Sequence, residues 1–317
     1  MGFESLLGNE RLKENLRRSL ARDRVSHFYL ICGPKGSGRH TLARLLAAAL
    51  MCEGGEKPCH QCEGCRKVMG GVHPDFITVD DPEKKTVPVD LIRQARADIY
   101  VQPNEGRHKI YLFPRAQDMG LPGQNALLKV LEEPPRYGVF LLLTDNPEKL
   151  LPTVRSRCTE LNLLPLPETV LRHQLEKNHP EAGKDAITAA ISRSGGYLGQ
   201  ADALLSDGDG ESQQTEDLLR AFAARDTMGL VSVLVPMEKW KRDQLIPTLE
   251  RWIALLEEAL TCRAGLAALS PLAKELSLRR SSQDLMAAIQ QLQKCVEYAQ
   301  GNVSPAAVCG YLQWALR

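Results

Sequence analysis

Phe28-Tyr29-Leu30-Ile31-Cys32-Gly33-Pro34-Lys35-Gly36-Ser37-Gly38-Arg39-His40-Thr41 joins an apolar run to a glycine loop and then to a helical pattern. The run predicts a buried strand, and strand, loop and helix in that order are what a phosphate site at a helix N-terminus requires. The glycine spacing is that of G-x-x-x-x-G-K-[ST]. In that pattern backbone N–H groups cradle the phosphates, Lys reaches the β and γ oxygens, and a hydroxyl ligates Mg²⁺. Here both phosphate-handling residues are replaced, with Arg39 at the Lys position and His40 at the hydroxyl position. A guanidinium fork does not simply take over the place of a point charge. An imidazole offers magnesium nitrogen and bulk where small oxygen ligands are wanted. Thr41 lies one residue further along the helix, its hydroxyl rotated by roughly 100°. Gly33, Gly36, Gly38, Arg39, His40 and Thr41 therefore read as a degenerate phosphate loop, expected not to support ATP hydrolysis and with ATP binding itself in question.

Outward from this loop, further apolar runs at Phe76–Val79, Lys109–Phe113, Val139–Thr144 and Thr159–Leu163 predict buried strands. Helical patterns alternate with them: Leu42, Leu45, Leu46 and Ala49 share a face, and Val89 to Tyr100 and Gln124 to Glu132 behave alike. Such alternation predicts an α/β domain with a mostly parallel sheet and helices on both faces. Asn9 is placed to cap a leading helix carrying Leu12, Leu16 and Leu20. Strand signals stop after Pro165-Leu166-Pro167; short helices run to about Leu205, and Ser206-Asp207-Gly208-Asp209-Gly210-Glu211 reads as a linker. Thr215 to Arg317 reads as helical throughout, with no clustered polar constellation, which suits an assembly or packing domain.

A chain of 317 residues is long for one core and predicts two or three domains. A net charge of +1 gives no basic excess of the kind expected in a protein that grips DNA alone. No apolar stretch reaches the length of a membrane span, no secretory signal is seen, and Leu6 stands where a myristoylation motif needs Ser or Thr, so the expected location is cytoplasmic. Nine cysteines fit a reducing compartment, because four of them cluster as Cys52-x6-Cys59-x2-Cys62-x2-Cys65. That density predicts a closed tetrahedral Cys₄ zinc site, a structural staple with no open position for chemistry. Haem attachment is excluded by the absence of a following His. An iron–sulfur centre is disfavoured because Met69 holds the next ferredoxin-like position. Cys32, Cys158, Cys262, Cys295 and Cys309 lie in apolar surroundings and are expected to pack rather than react.

Ser26-His27-Phe28-Tyr29-Leu30, the cysteine module after the loop's helix, Asn125-Ala126-Leu127-Leu128-Lys129-Val130-Leu131-Glu132-Glu133-Pro134-Pro135 and Ser156-Arg157-Cys158 together resemble the bacterial DNA polymerase III clamp-loader AAA+ subunits. The resemblance is close over roughly the first 200 residues and architectural beyond them. It implies an AAA+ domain over residues 1–165, a helical lid over 166–206 and a collar over 207–317 that joins a five-subunit ring. Implied partners are gamma/tau motor subunits and the delta subunit, with the sliding clamp and primer-template DNA met through the complex.

Within that family the departures point to the non-hydrolysing, delta prime type. Motor subunits end the third strand with an Asp-Glu pair for Mg²⁺ and the attacking water; here Lys109-Ile110-Tyr111-Leu112-Phe113 runs into Pro114-Arg115. Their lid arginine, in a Gly-x-Leu-Arg pattern, is matched by Gly196-Tyr197-Leu198-Gly199. Thr144 matches the polar sensor of the motors. Arg157 survives intact, and by resemblance it is an arginine finger for a neighbour's ATP site. Its plainer reading is a strand-capping arginine paired with Glu160. Two rivals stand beside this reading. One is a gamma/tau-like ATPase in which Arg39 contacts phosphate and Asp80 or Asp81 holds the metal. The other is a zinc-module nucleic-acid binder, although the cysteine window holds only Lys57 as a cation. His73, Arg17 and Arg18 read most simply as cap or surface residues.

Overall fold

A computed structural model describes residues 2–206, 213–265, 270–301 and 303–316. Among these, five strands form one parallel sheet: β1 (Phe28–Cys32), β2 (Phe76–Thr78), β3 (Lys109–Phe113), β4 (Gly138–Thr144) and β5 (Thr159–Asn162), in the order β2-β3-β4-β1-β5. β1, β3 and β4 are buried along their whole length, which is why they read as continuous apolar runs instead of alternating ones. Burial on both faces still leaves the two-residue period visible. Tyr29, Ile31, Ile110, Leu112, Val139 and Leu141 join one core; Phe28, Leu30, Tyr111, Phe113, Phe140 and Leu142 join the other. Phe140 organises the second core by stacking on Phe28 at 4.5 Å and Tyr111 at 5.4 Å between ring centroids.

The first core is closed by α1 (Glu10–Ala21), α2 (Arg39–Leu50) and α3 (Glu63–Met69), the second by α4 (Val89–Asp98) and α5 (Leu121–Glu132). The expected α/β AAA+ arrangement is therefore present, with helices on both faces and an all-helical region after the sheet. Element ends moved by a few residues; α5, for example, begins at Leu121 because Pro122 suits the first turn of a helix. Asn9 does not cap α1. It adopts a left-handed backbone (φ 55°) with no capping bond, and its Oδ1 instead accepts from Leu164 N at 2.9 Å. His73 is buried, not a surface residue: its Nδ1 accepts from Asp75 N at 3.1 Å. Arg17 and Arg18 do lie at the surface, paired with Glu4 and Glu14. Asp75 is itself fully buried and accepts from Asn104 N, Asn104 Nδ2, Glu105 N and Gly106 N at 2.7–3.0 Å. Burial opposes its charge, but these donors together hold its pKa below the usual carboxylate value.

Contacts divide the chain into two compact units, residues 1–182 with 190–204, and residues 183–189 with 205–317. After α6 (Pro152–Arg155), α7 (Glu168–Asn178) and α9 (Leu198–Ser206) group with the sheet, apart from Leu205 and Ser206, and α8 (Lys184–Arg193) contributes to both units. The expected linker falls mostly on residues 207–211, outside the described residues. The second unit contains α10 (Gln213–Ala224), α11 (Thr227–Met237), α12 (Arg242–Arg263), α13 (Pro271–Arg279), α14 (Ser282–Gln300) and α15 (Pro305–Ala315). Its core surrounds Trp252, whose Nε1 donates to Thr215 Oγ1 at 3.1 Å, so the one polar atom of a buried indole is satisfied. Burial pushes the thiols of Cys295 and Cys309 up to about 12 and about 11, and those of Cys32 and Cys158 to about 11 and about 12, as expected of cysteines that pack rather than react.

Candidate functional site

The glycine loop leaves β1 at the carboxyl ends of the strands, where open α/β sheets place their ligands. Gly33 N donates to Thr144 O at 3.1 Å, tying the loop to the end of β4, and Ser37 N closes a turn on Pro34 O at 3.1 Å. Gly36 and Gly38 have φ of +81° and +95°, a left-handed region that L side chains rarely adopt. The cradle geometry read from the glycines is thus built. Arg39 opens α2 and is buried, with the Asp145 carboxylate as a charged neighbour, and desolvation lowers its pKa. Its Nη1 and Ser37 Oγ have no hydrogen-bond partner. His40 and Thr41 are exposed at the start of the helix. Desolvation, followed by the charges of Arg39 and Arg44, disfavours the protonated imidazole of His40.

A cation stands just beyond β3, where the resemblance leads one to expect an acid pair. Arg115, just beyond β3, donates from Nη2 to Asp80 Oδ1 at 2.6 Å and from Nε to both Asp80 oxygens at 3.2 Å. It also binds the carbonyls of Asp81 (3.0 Å) and Lys84 (3.2 Å). Asp80, the acid that a motif scan offers as a metal ligand, is therefore neutralised by a bidentate guanidinium, and Asp81 turns to Lys84 Nζ at 3.4 Å. The sequence offered Asp80 and Pro114-Arg115 as separate observations; their pairing was not legible because β2 and β3 are neighbours only in the sheet. Thr144 is buried, and its Oγ1 accepts from Asn146 N at 3.1 Å.

The segment expected as a lid meets the loop within the sheet unit. Gly199 N donates to Gly36 O at 3.0 Å, and Gln200 Nε2 donates to Lys35 O at 2.9 Å. A Cβ on Gly199 would stand 2.8 Å from Gly36 Cα, and one on Gly36 would stand 2.6 Å from Gln200 N. Gly199 is thus more than a missing arginine. Backbone meets backbone here, and any side chain would push the two apart. Because Gly199 has no positive φ, Gly199→Ala tests this contact alone. It is expected to cost about 1–3 kcal/mol by overpacking, read as a lower midpoint of thermal unfolding. An unchanged midpoint would mean that the lid does not press on the loop in solution. The remaining cleft, about 720 Å³, is bordered by Leu6, Gly36, Arg39, Leu166 and Tyr197.

Arg157 follows α6 and is partly exposed. Its Nη1 donates to Thr153 O at 3.0 Å and its Nη2 to Glu132 Oε1 at 3.3 Å. The pairing with Glu160 is not formed; Glu160 goes to Arg155 at 3.6 Å, since Arg155 is the residue turned toward β5. Glu132, in the stretch that carried the family resemblance, was not singled out for this contact, which spans 25 residues of sequence.

Cys52, Cys59, Cys62 and Cys65 bring their Sγ atoms within 4.8 Å of one another. Four sulfurs at about 2.3 Å from one ion lie roughly 3.8 Å apart, so a small contraction would seat a tetrahedral cation such as zinc. Backbone amides already point at the sulfurs: Gly54 N and Cys59 N to Cys52 (3.3 and 3.4 Å), Cys62 N to Cys59 (3.3 Å) and Cys65 N to Cys62 (3.5 Å). Those on Cys59, led by that from Cys62, lower its thiol pKa to about 6, toward the thiolate that a metal needs. The donor set fits a structural metal, with four sulfurs and no fifth ligand among the described residues.

Residues 8–167 match the family model described as "DNA polymerase III, delta subunit". The chain is 32% identical over 289 residues to DNA polymerase III subunit tau of Escherichia coli, covering 86% of this chain and 45% of that protein. It is 34% identical over 158 residues to subunit tau of Bacillus subtilis, covering 49% of this chain and 28% of that one. The chain thus spans less than half the length of these relatives. Among solved structures, a DNA polymerase III gamma subunit-related protein of Thermotoga maritima aligns with a TM-score of 0.47 at 15% identity, covering 96% of this chain and 99% of that one.

Proposed function

The chain belongs to the DNA polymerase III delta-subunit family of clamp-loader proteins, and from that membership we propose that it is the non-hydrolysing, delta prime type of subunit. In this reading it holds gamma/tau motor subunits and the delta subunit in a ring, so that the sliding clamp is loaded on primer-template DNA. What separates this chain from a motor is the condition of its own site.

The observation that carries the reading is the lid backbone bonded to the loop backbone, Gly199 N to Gly36 O at 3.0 Å, with no room for a Cβ on either residue. A nucleotide's phosphates need room over the loop and a cation from the lid; here Gly199 and Gln200 sit on the loop carbonyls of Gly36 and Lys35, and the position of the lid cation holds Gly199. Arg115 on Asp80 supports the same conclusion, because the acid that a divergent ATPase would use for its metal is already paired. Zinc in the four-cysteine module would hold the segment between α2 and α3. The chain's catalytic contribution would be Arg157, offered to the neighbouring motor's ATP, where a guanidinium spreads over the γ-phosphoryl oxygens. The collar would supply the ring contacts.

Calorimetric titration of the purified chain with ATP, with and without Mg²⁺, tests the central point. No heat of binding is expected. Arg39 Nη1, at the start of the loop's helix, is buried without a hydrogen-bond partner, so the opposite outcome is chemically defined. Tight, magnesium-dependent binding would overturn the delta prime reading in favour of a divergent gamma/tau-like ATPase.

A further inference from the structure

We propose that the four-cysteine knuckle is a metal-dependent fastener for residues 2–7, and through them for one wall of the glycine loop. Sequence presents the knuckle and the loop as separate motifs; the structure joins them through a short strap.

The link begins at His60, between the metal ligands Cys59 and Cys62. Its φ of +60° is a conformation that residues with a Cβ rarely hold without constraint. The ring is turned away from the sulfurs, and Nε2–H donates to Gly2 O at 2.7 Å. Gly2, at φ +98°, is one of the few residues that can turn its carbonyl this way. From there the strap is pinned in steps. Phe3 is fully buried, Glu4 pairs with Arg17 at 3.3 Å, and Leu6 N closes a turn on Phe3 O at 3.1 Å. Leu6, 4% exposed, ends against the loop, its Cδ1 3.2 Å from where a Cβ on Gly38 would stand.

A bound cation fixes the backbone on both sides of His60, so it holds the donor where Gly2 can accept. Once the cation leaves, only amide–sulfur contacts such as Cys59 N to Cys52 and Cys62 N to Cys59 hold the left-handed φ. The His60–Gly2 bond is the contact by which that relaxation reaches the strap, and Leu6 is the contact by which the strap reaches Gly38. Metal occupancy thereby sets how firmly this side of the loop is covered. The inference does not depend on the clamp-loader reading, since every contact lies within one unit of the chain.

Hydrogen exchange read by mass spectrometry on the full chain tests it, with zinc content measured for each sample. In zinc-loaded His60→Ala, exchange across residues 2–7 is expected to rise about tenfold, the effect of losing one well-placed hydrogen bond, with a smaller rise at residues 38–41. His60→Gln, which keeps a side-chain donor, is expected to recover part of the protection. Zinc-stripped wild-type protein is expected to show the same loosening of residues 2–7. Wild-type protection of residues 2–7 in zinc-loaded His60→Ala would overturn the proposal. So would a protected strap in stripped protein whose residues 52–65 exchange freely.

Discussion

Arg157→Ala is expected to reduce ATP turnover at the neighbouring site of the assembled loader by about 10³-fold or more, the low end of what arginine fingers contribute in phosphoryl transfer. The total rate of a ring with several motor sites would fall by that one site's share, so single-site turnover or a ring with one active motor gives the clean measurement. The effect should fall on the chemical step and leave assembly intact. Arg157 is partly exposed and its ties are a surface ion pair with Glu132 at 3.3 Å and one carbonyl contact. Such pairs contribute only about 0–1 kcal/mol to stability. Arg157→Lys is also expected to fail, because a point charge does not reproduce the two-pronged donor. Unchanged turnover at a site known to border this subunit would remove the trans role and return Arg157 to a local tie between α5 and α6.

Removal of the metal is expected to have the largest effect on stability. Structural zinc in small modules binds with an apparent free energy of about 10–16 kcal/mol, comparable with the whole stability of a domain, about 5–15 kcal/mol. Cys52 and Cys65 are fully buried and belong to the same core as Ala48 and Val68, so an opened knuckle exposes core of the sheet unit. Chelation is expected to lower the midpoint followed by far-ultraviolet circular dichroism by about 10 °C or more, using about 2–4 °C per kcal/mol for a domain of this size. The three tryptophans, Trp240, Trp252 and Trp314, all lie in the second unit. A fluorescence transition that stays in place while the dichroism transition drops would assign the damage to the sheet unit. A stripped protein with unaltered melting by both probes would deny the cysteines a structural role.

The alternation of buried runs with helical patterns was enough to specify a parallel α/β domain, because a strand buried on both faces must be apolar throughout and a helix on a sheet must show one apolar stripe. The glycine spacing, the substitution of Arg39 and His40, and the four-cysteine cluster were legible for a similar reason: each is local, and its chemistry follows from residue type and spacing. What stayed hidden was every relation between segments distant in the chain. Arg115 meets Asp80 across adjacent strands, Arg157 chooses Glu132 over Glu160, Asn9 bonds Leu164 instead of capping its helix, and His60 holds Gly2. Gly199 shows the difference most clearly. In sequence it is an arginine that is missing; in the fold it is a glycine that the backbone of Gly36, 2.8 Å from its Cβ position, requires. Residue chemistry and period are written along the chain, whereas which groups meet depends on strand order and helix packing, and these are set only when the whole core forms.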